Sequence, residues 1–302
     1  MKLLFRKLRY AIGLMIGMPI CSLDFFEKYK YYLLSSWRLK EKRKTLDNFL
    51  YKALMAYWIR FEYLAEKDPD KRESLKEISM GGAGGKEWAR SYDEPINFES
   101  KIGRLLYAEA CPLLPEIDKI LSSIARSVVV IQVGSSSGKE IAWLAKKNPI
   151  HRYIGTDIYP EVIAYSSGSH NLPNLSFQLY SAKEIYNLLN KYKDEEVIIF
   201  SSASLQYVQP EHLEAFFSSI GRISNLDVLL LEPANELKGN PEKLNGSLWR
   251  GNFSYTHNYR LYAEKAGLYT KKFQIIRPYF PYNDFPMHNG TVHYFYWAKT
   301  DI

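Results

Sequence analysis

Residues 128–138, Val-Val-Val-Ile-Gln-Val-Gly-Ser-Ser-Ser-Gly, together with Arg152-Tyr153-Ile154-Gly155-Thr156-Asp157, decide how this 302-residue chain is read. The apolar run is short, β-branched and bounded by glycine, which suits a strand buried on both faces of a parallel sheet. Gly134 turns the chain, and the small side chains at 135 to 137 let the backbone approach a ligand closely. A helix opening near Gly138 presents unpaired N–H groups and a partial positive charge. The second run stops at Asp157, 23 residues past Gly134, where a carboxylate can accept both hydroxyls of a ribose. This layout is that of a nucleoside-cofactor site.

The glycine spacing narrows the cofactor. Dinucleotide sites need G-x-G-x-x-G so that a pyrophosphate can rest against the helix N-terminus. Here the pattern is G-x-x-x-G with Ser136 in the middle, which crowds a pyrophosphate but tolerates a smaller zwitterionic ligand. The sequence also argues against a phosphate-cradling loop, because Gly138-Lys139 is followed by Glu140 rather than Ser or Thr.

On Gln132-Val133-Gly134-Ser135-Ser136-Ser137-Gly138 and Asp157 the chain resembles the class I S-adenosylmethionine-dependent methyltransferases, over roughly residues 125 to 300. Gln132 and Ser136 depart from that family's motif of an acidic residue and a G-x-G-x-G-like loop. The resemblance implies an α/β fold: a Rossmann-like seven-stranded, mostly parallel sheet with an antiparallel last strand and helices on both faces. It implies S-adenosyl-L-methionine as cofactor, held by Gly134, Ser135, Ser136, Gly138, Asp157, Ile158, the Ser181-Ala182 junction, Ser202 and Tyr92. The sequence carries the same order of elements. A helix begins at Pro160, then come Leu175 to Tyr180, a helix from Lys183, Val197 to Ser202, the helix Glu211 to Arg222, and Asp227 to Glu232. After a helix near Asn258 to Ala266, Lys271 to Arg277 and Val292 to Lys299 read as two strands with no room for a crossover helix between them. That closing pair separates this chain from an ordinary dinucleotide fold.

Composition frames three segments: a basic, aromatic helical extension at 1–80, a glycine-rich lid or linker with a covering helix at 81–124, and the methyltransferase-like domain at 125–302. Cys21 and Cys111 are the only cysteines and no spaced Cys/His cluster occurs, so a reducing, cytoplasmic setting and no metal are expected. Residues 1–60 hold 13 Lys/Arg against 4 Asp/Glu; with +7 for the whole chain, the remaining 242 residues carry −2. The apolar stretch Ala11 to Ile20 is about ten residues, short of the ~20 that span a bilayer. Three readings of residues 1–60 stay open: packing on the catalytic domain or a second subunit as in a homodimer, peripheral contact with anionic lipid at the inner membrane surface, and nucleic-acid binding. The acidic balance of the catalytic half argues against the last.

Within Gly81 to Pro95, four glycines in five residues precede Trp88 and Tyr92, which either close over the cofactor or pack in a linker. Ser100 to Lys119 reads as a helix covering the sheet. The acceptor is expected at the carboxyl edge of the sheet, near Ser202 to Tyr207 and Glu232 to Asn235. Neither an Asp/Asn-Pro-Pro-aromatic tetrapeptide nor a Pro-Cys pair is there, which disfavours nucleobases and leaves a small molecule, glycan or lipid-linked acceptor. Residues 238–256 read as a long loop over that acceptor, with Tyr207, Glu232 and Arg250 as binding residues and His257 as general base. His151 is expected at the surface. The alternative reading is a non-catalytic relative that binds cofactor or a partner.

Overall fold

The computed structural model describes Met15 and residues 62–80, 89–90, 113–235, 241–251, 253–276 and 291–300. Trp88, Tyr92, the glycine cluster at 81–85, His288 and nearly all of residues 1–60 lie outside them. The chain divides into two compact units, residues 1–87 and 88–302. In the first, helix α1 (Pro69–Met80) begins where Asp68 Oδ1 accepts the backbone N–H groups of Asp70 (2.9 Å) and Lys71 (3.3 Å). Among the described residues no helix is long and apolar enough to cross a membrane, and no group of three or more side chains could hold a metal ion.

The second unit is built on a seven-stranded sheet. Its strands are β1 (Val129–Val133), β2 (Arg152–Asp157), β3 (Leu175–Leu179), β4 (Val197–Ser202), β5 (Leu226–Asn235), β8 (Leu268–Ile276) and β9 (Thr291–Thr300), in the order β3-β2-β1-β4-β5-β9-β8. The first five run parallel, and β9 lies antiparallel between β5 and β8. The order reverses at β1 and β4, so the carboxyl ends of these neighbours open a crevice. The closing pair lies within two or three residues of its sequence reading. β6 (Ser247–Gly251) and β7 (Ser254–His257) form a separate antiparallel hairpin. The stretch expected to be one long loop is therefore ordered in its second half, where Leu248 pairs with Thr256 and Trp249 with Tyr255.

Side-chain parity sorts the core into two layers. Val129, Ile131 and Val133 of β1, with Ile199 and Leu230, face α5 (Ile185–Leu189), α6 (Pro210–Ile220) and α7 (Tyr259–Lys265). Val130, Ile198, Phe200, Leu229 and Phe295 face α2 (Leu113–Ser123) and α3 (Lys139–Lys147). Each such side chain, fully buried, contributes about 1.5–3 kcal/mol of transfer free energy. Helix α2 does cover the sheet, through Leu113, Leu114, Ile117 and Leu121, but runs four residues past the expected end. α4 (Pro160–Ser169) packs against β2 and β3. His151 is buried rather than on the surface, and its ring bridges two backbone groups, the Val128 N–H and the Leu121 carbonyl. Nδ1 accepts from Val128 N–H (3.3 Å), which leaves Nε2–H to donate to the Leu121 carbonyl (3.1 Å).

Helices α6 and α7 meet tightly at Gly221, where an added Cβ would fall 2.1 Å from the Ala266 backbone oxygen. Gly168, inside α4, faces open space. Gly221→Ala is expected to lower stability by about 1–3 kcal/mol, while Gly168→Ala raises it by about 0.5–1 kcal/mol. Urea unfolding of the two variants checks the contrast, and equal effects would place the close approach elsewhere.

Candidate active site

The loop between β1 and α3 bends through three left-handed residues: Gly134 (φ 71°), Ser136 (φ 49°) and Gly138 (φ 77°). A serine in that region is strained by roughly 1–2 kcal/mol, and such strain persists where the surroundings impose it. Here they do. Ser135 N–H donates to the Thr156 carbonyl (2.7 Å), and Ser136 N–H to Asp157 Oδ2 (3.1 Å). On the outer side, Ser166 Oγ donates to the Ser136 carbonyl (2.6 Å) and His170 Nε2 to the Ser137 carbonyl (2.9 Å). With its backbone pinned by strand and helix, the loop leaves the Ser135 and Ser136 hydroxyls buried and unpartnered. Buried polar atoms of that kind fit a polar ligand lying against the bend.

Asp157 ends β2 at the same corner. Its Oδ1 accepts from Ile158 N–H (2.9 Å) and Tyr159 N–H (3.3 Å), so Ile158 contributes backbone rather than its side chain. Burial pushes this carboxyl up to about 6 against the pull of those backbone donors. Of the expected cofactor residues, Gly134, Ser135, Ser136, Gly138, Asp157 and Ile158 are thus gathered at one place. Ser181 and Ala182 follow β3, where Tyr180 N–H donates to the Asp157 carbonyl (3.1 Å). The Ser181 hydroxyl is engaged in a capping box, donating to Glu184 Oε2 (2.6 Å).

A group the sequence reading passed over lies beneath the loop. Gln132 does not bond the loop backbone; its Nε2 donates to Glu140 Oε2 at 2.6 Å, in the first turn of α3. Burial pushes the Glu140 carboxyl up to about 7, opposed by hydrogen bonds from Ser202 and Gln132 and reinforced by repulsion from Glu232. Ser202 therefore joins the site through Glu140.

The acceptor-side residues converge on the turn after β4, though not in the roles expected of them. Glu232 is fully buried and spends its carboxylate on that turn. It accepts from Ser201 Oγ (2.7 Å), Ser204 N–H (3.2 Å), Leu205 N–H (3.1 Å) and Gln206 N–H (3.2 Å). Its assignment as an acceptor ligand gives way to one as a buried brace, and burial pushes its carboxyl up to about 7 despite those donors. The turn then holds the hairpin: Arg250 Nη2 donates to Gln206 Oε1, Arg250 Nε to Ser254 Oγ (3.3 Å), and Tyr255 OH to Gln209 Oε1 (2.8 Å). Arg250 is half-buried, which lowers its pKa, and lies in the field of Tyr207, Tyr259 and Glu232.

His257 does not suit the role of base. It is fully buried, stacked on Tyr255, edge-on to Tyr259 and Tyr262, and its Nδ1 meets Ser247 Oγ at 2.5 Å. Burial drives its pKa to about 3, so it is a weak proton acceptor packed inside the hairpin. His293, near the start of β9, is buried as well. Its pKa falls to about 4 through burial and the Arg250 charge, and its Nδ1 has no partner.

The two halves touch at Gly134, whose carbonyl accepts from Ser204 Oγ (3.0 Å). A Cβ at 134 would fall 2.4 Å from the Ser204 Cβ and Oγ. Gly134→Ala is expected to cost about 2–4 kcal/mol, part steric and part left-handed backbone. Adding Ser204→Gly should restore the steric part, so that the double variant is more stable than Gly134→Ala alone under urea. Additive losses would mean that the two residues do not collide.

No protein-family model and no curated protein matches the chain. Solved structures do. Magnesium protoporphyrin IX methyltransferase from Synechocystis, with bound S-adenosylmethionine, is 13% identical over 78% of this chain and 99% of its own, at a TM-score of 0.51. The same enzyme with bound S-adenosylhomocysteine gives 14%, 76%, 99% and 0.50. At these identities the likeness is one of fold, and strand order, antiparallel β9 and the β1 loop agree with it: the chain has the Rossmann-like fold of class I S-adenosylmethionine-dependent methyltransferases.

Proposed function

We propose that this protein is an S-adenosylmethionine-dependent methyltransferase acting on an oxygen of a small-molecule, glycan or lipid-linked acceptor. The observation that carries the reading is the corner formed by the strained 134–138 bend, with its unpartnered serine hydroxyls, and the Asp157 carboxylate one hydrogen bond away. The bend is shaped for a compact zwitterion, and Asp157 keeps acceptor capacity for ribose hydroxyls beyond its three backbone donors. When bound, the cofactor supplies a sulfonium methyl that transfers by in-line displacement. The chain's own part is to align the two partners and exclude water.

Arg250 and Tyr207 are the side chains offered to the acceptor, under a hairpin tied to the β4 turn. With His257 and His293 both held neutral and weakly basic, an acceptor oxygen that is already ionised, such as a carboxylate or a phenol acidified by its own ring substituents, fits the Arg250 field best. The same weakness of both histidines favours, as a second reading, a non-catalytic protein that binds the cofactor without turning it over. Residues 1–60, basic and aromatic, are the segment proposed to meet anionic lipid headgroups or a second subunit.

Calorimetry on the full chain separates these. S-adenosylhomocysteine is expected to bind and NAD not to; binding of NAD alone would overturn the assignment. Transfer of label from S-adenosyl-methyl-labelled cofactor to carboxylate or phenol acceptors distinguishes enzyme from binder. The pH dependence follows from Asp157. Ribose hydroxyls prefer its ionised form, so affinity is lost as pH falls through about 6. For 5′-methylthioadenosine, affinity is expected to fall by up to about tenfold per pH unit below that point. Asp157→Asn should bind weakly and lose the part of the fall that belongs to this group.

A further inference from the structure

The corner below the bend holds acceptors in excess of donors. The Gln132 side chain is 2% exposed, and its Nε2 is committed to Glu140. Its Oε1 is therefore oriented by that bond, and it is buried with no partner. Glu140 takes donors from Gln132 and Ser202, which leaves lone pairs on both its oxygens, and no Lys or Arg pairs with it among the described residues. An amide oxygen without a donor beside a carboxylate without a counter-ion, in one bend of chain, is a complement for a small cation with several N–H donors. An ammonium group supplies three, enough to reach Oε1 of Gln132, a carboxylate oxygen of Glu140 and one further acceptor. Glu140 sits two residues past Gly138, in the first turn of the helix that the serine bend opens, next to the unpartnered Ser135 and Ser136 hydroxyls in sequence.

We propose that Glu140 and the unpartnered carbonyl oxygen of Gln132 form a subsite for the primary ammonium group of the ligand held by the 134–138 bend. The inference rests on the cofactor reading above, in which that group is the amine of the methionine end. It assigns the recognition of charge to a residue of α3 rather than to strand β1. Glu140 binds here and takes no part in bond-making.

The test compares three ligands on the full chain by calorimetry: S-adenosylhomocysteine, its N-acetyl derivative, which lacks the ammonium, and 5′-methylthioadenosine, which lacks the amino-acid end altogether. The wild type is expected to prefer the free amine over the acetyl form by at least about tenfold, the range of a desolvated charged hydrogen bond. Glu140→Gln, isosteric and neutral, should cut that preference to under about threefold while leaving 5′-methylthioadenosine within about twofold. Glu140→Asp keeps the charge and should retain part of the preference, with circular dichroism reporting the fold of both variants. A wild type that binds 5′-methylthioadenosine yet ignores the amine overturns this subsite and leaves the cofactor reading standing. So does a Glu140→Gln variant that keeps the preference or weakens all three ligands alike. A wild type that binds none of the three removes the cofactor reading, and the subsite with it.

Discussion

One buried carboxylate, that of Glu232, sets the shape of everything above the middle of the sheet. Three successive backbone N–H groups, at 204, 205 and 206, point into it. Left without an acceptor in this dry position, each would cost about 1–3 kcal/mol, so the turn and the carboxylate require one another. Once the turn is fixed, Gln206 and Gln209 stand where they can take Arg250 and Tyr255, and through them hold the β6–β7 hairpin. On its other side the turn presses Ser204 against Gly134. The 134–138 bend and the β6–β7 hairpin are therefore held on opposite sides of a single short turn.

The electrostatics of this region follow from burial more than from pairing. Asp157, Glu140 and Glu232 are all drawn toward protonation by desolvation, while His257 and His293 are drawn toward neutrality and Arg250 is lowered. The carboxylates lie on the cofactor side and beneath the turn, and the guanidinium lies in the hairpin. Such a division suits a reaction in which a cationic methyl donor meets an anionic oxygen. In the reaction proposed above, each partner would be drawn to the half of opposite sign, and the displacement would remove both charges together.

How much of this was legible in the sequence depends on how local each constraint is. The β1 strand, the glycine turn and the acidic end of β2 lie within thirty residues, and hydrophobic run, glycine and carboxylate each declare themselves. The antiparallel end of the sheet was legible from a negative, the lack of room for a helix between two strands. The hairpin at 247–257 was not, because its strands are four or five residues long and its apolar side chains are interrupted by Arg250 and glycine. His151 and Glu232 were misplaced for another reason. Their identities are visible, but the partners that hold them lie 23 to 31 residues away and, apart from the Ser201 hydroxyl, are backbone groups, which have no signature in a sequence.

Gln132 shows the limit of reading a motif by position. At the end of β1 a glutamine looks like the loss of a charge. In the folded chain a carboxyl is supplied from eight residues further on, because the Gln132 amide N–H donates to Glu140 in the first turn of α3. An acid at 132 would repel that carboxylate; a glutamine donates to it and leaves an oxygen over. The pair thus keeps one ionisable carboxyl at the bend while adding a neutral acceptor beside it. Position 132 and position 140 are therefore chemically one unit, and either read alone gives the wrong charge for the site.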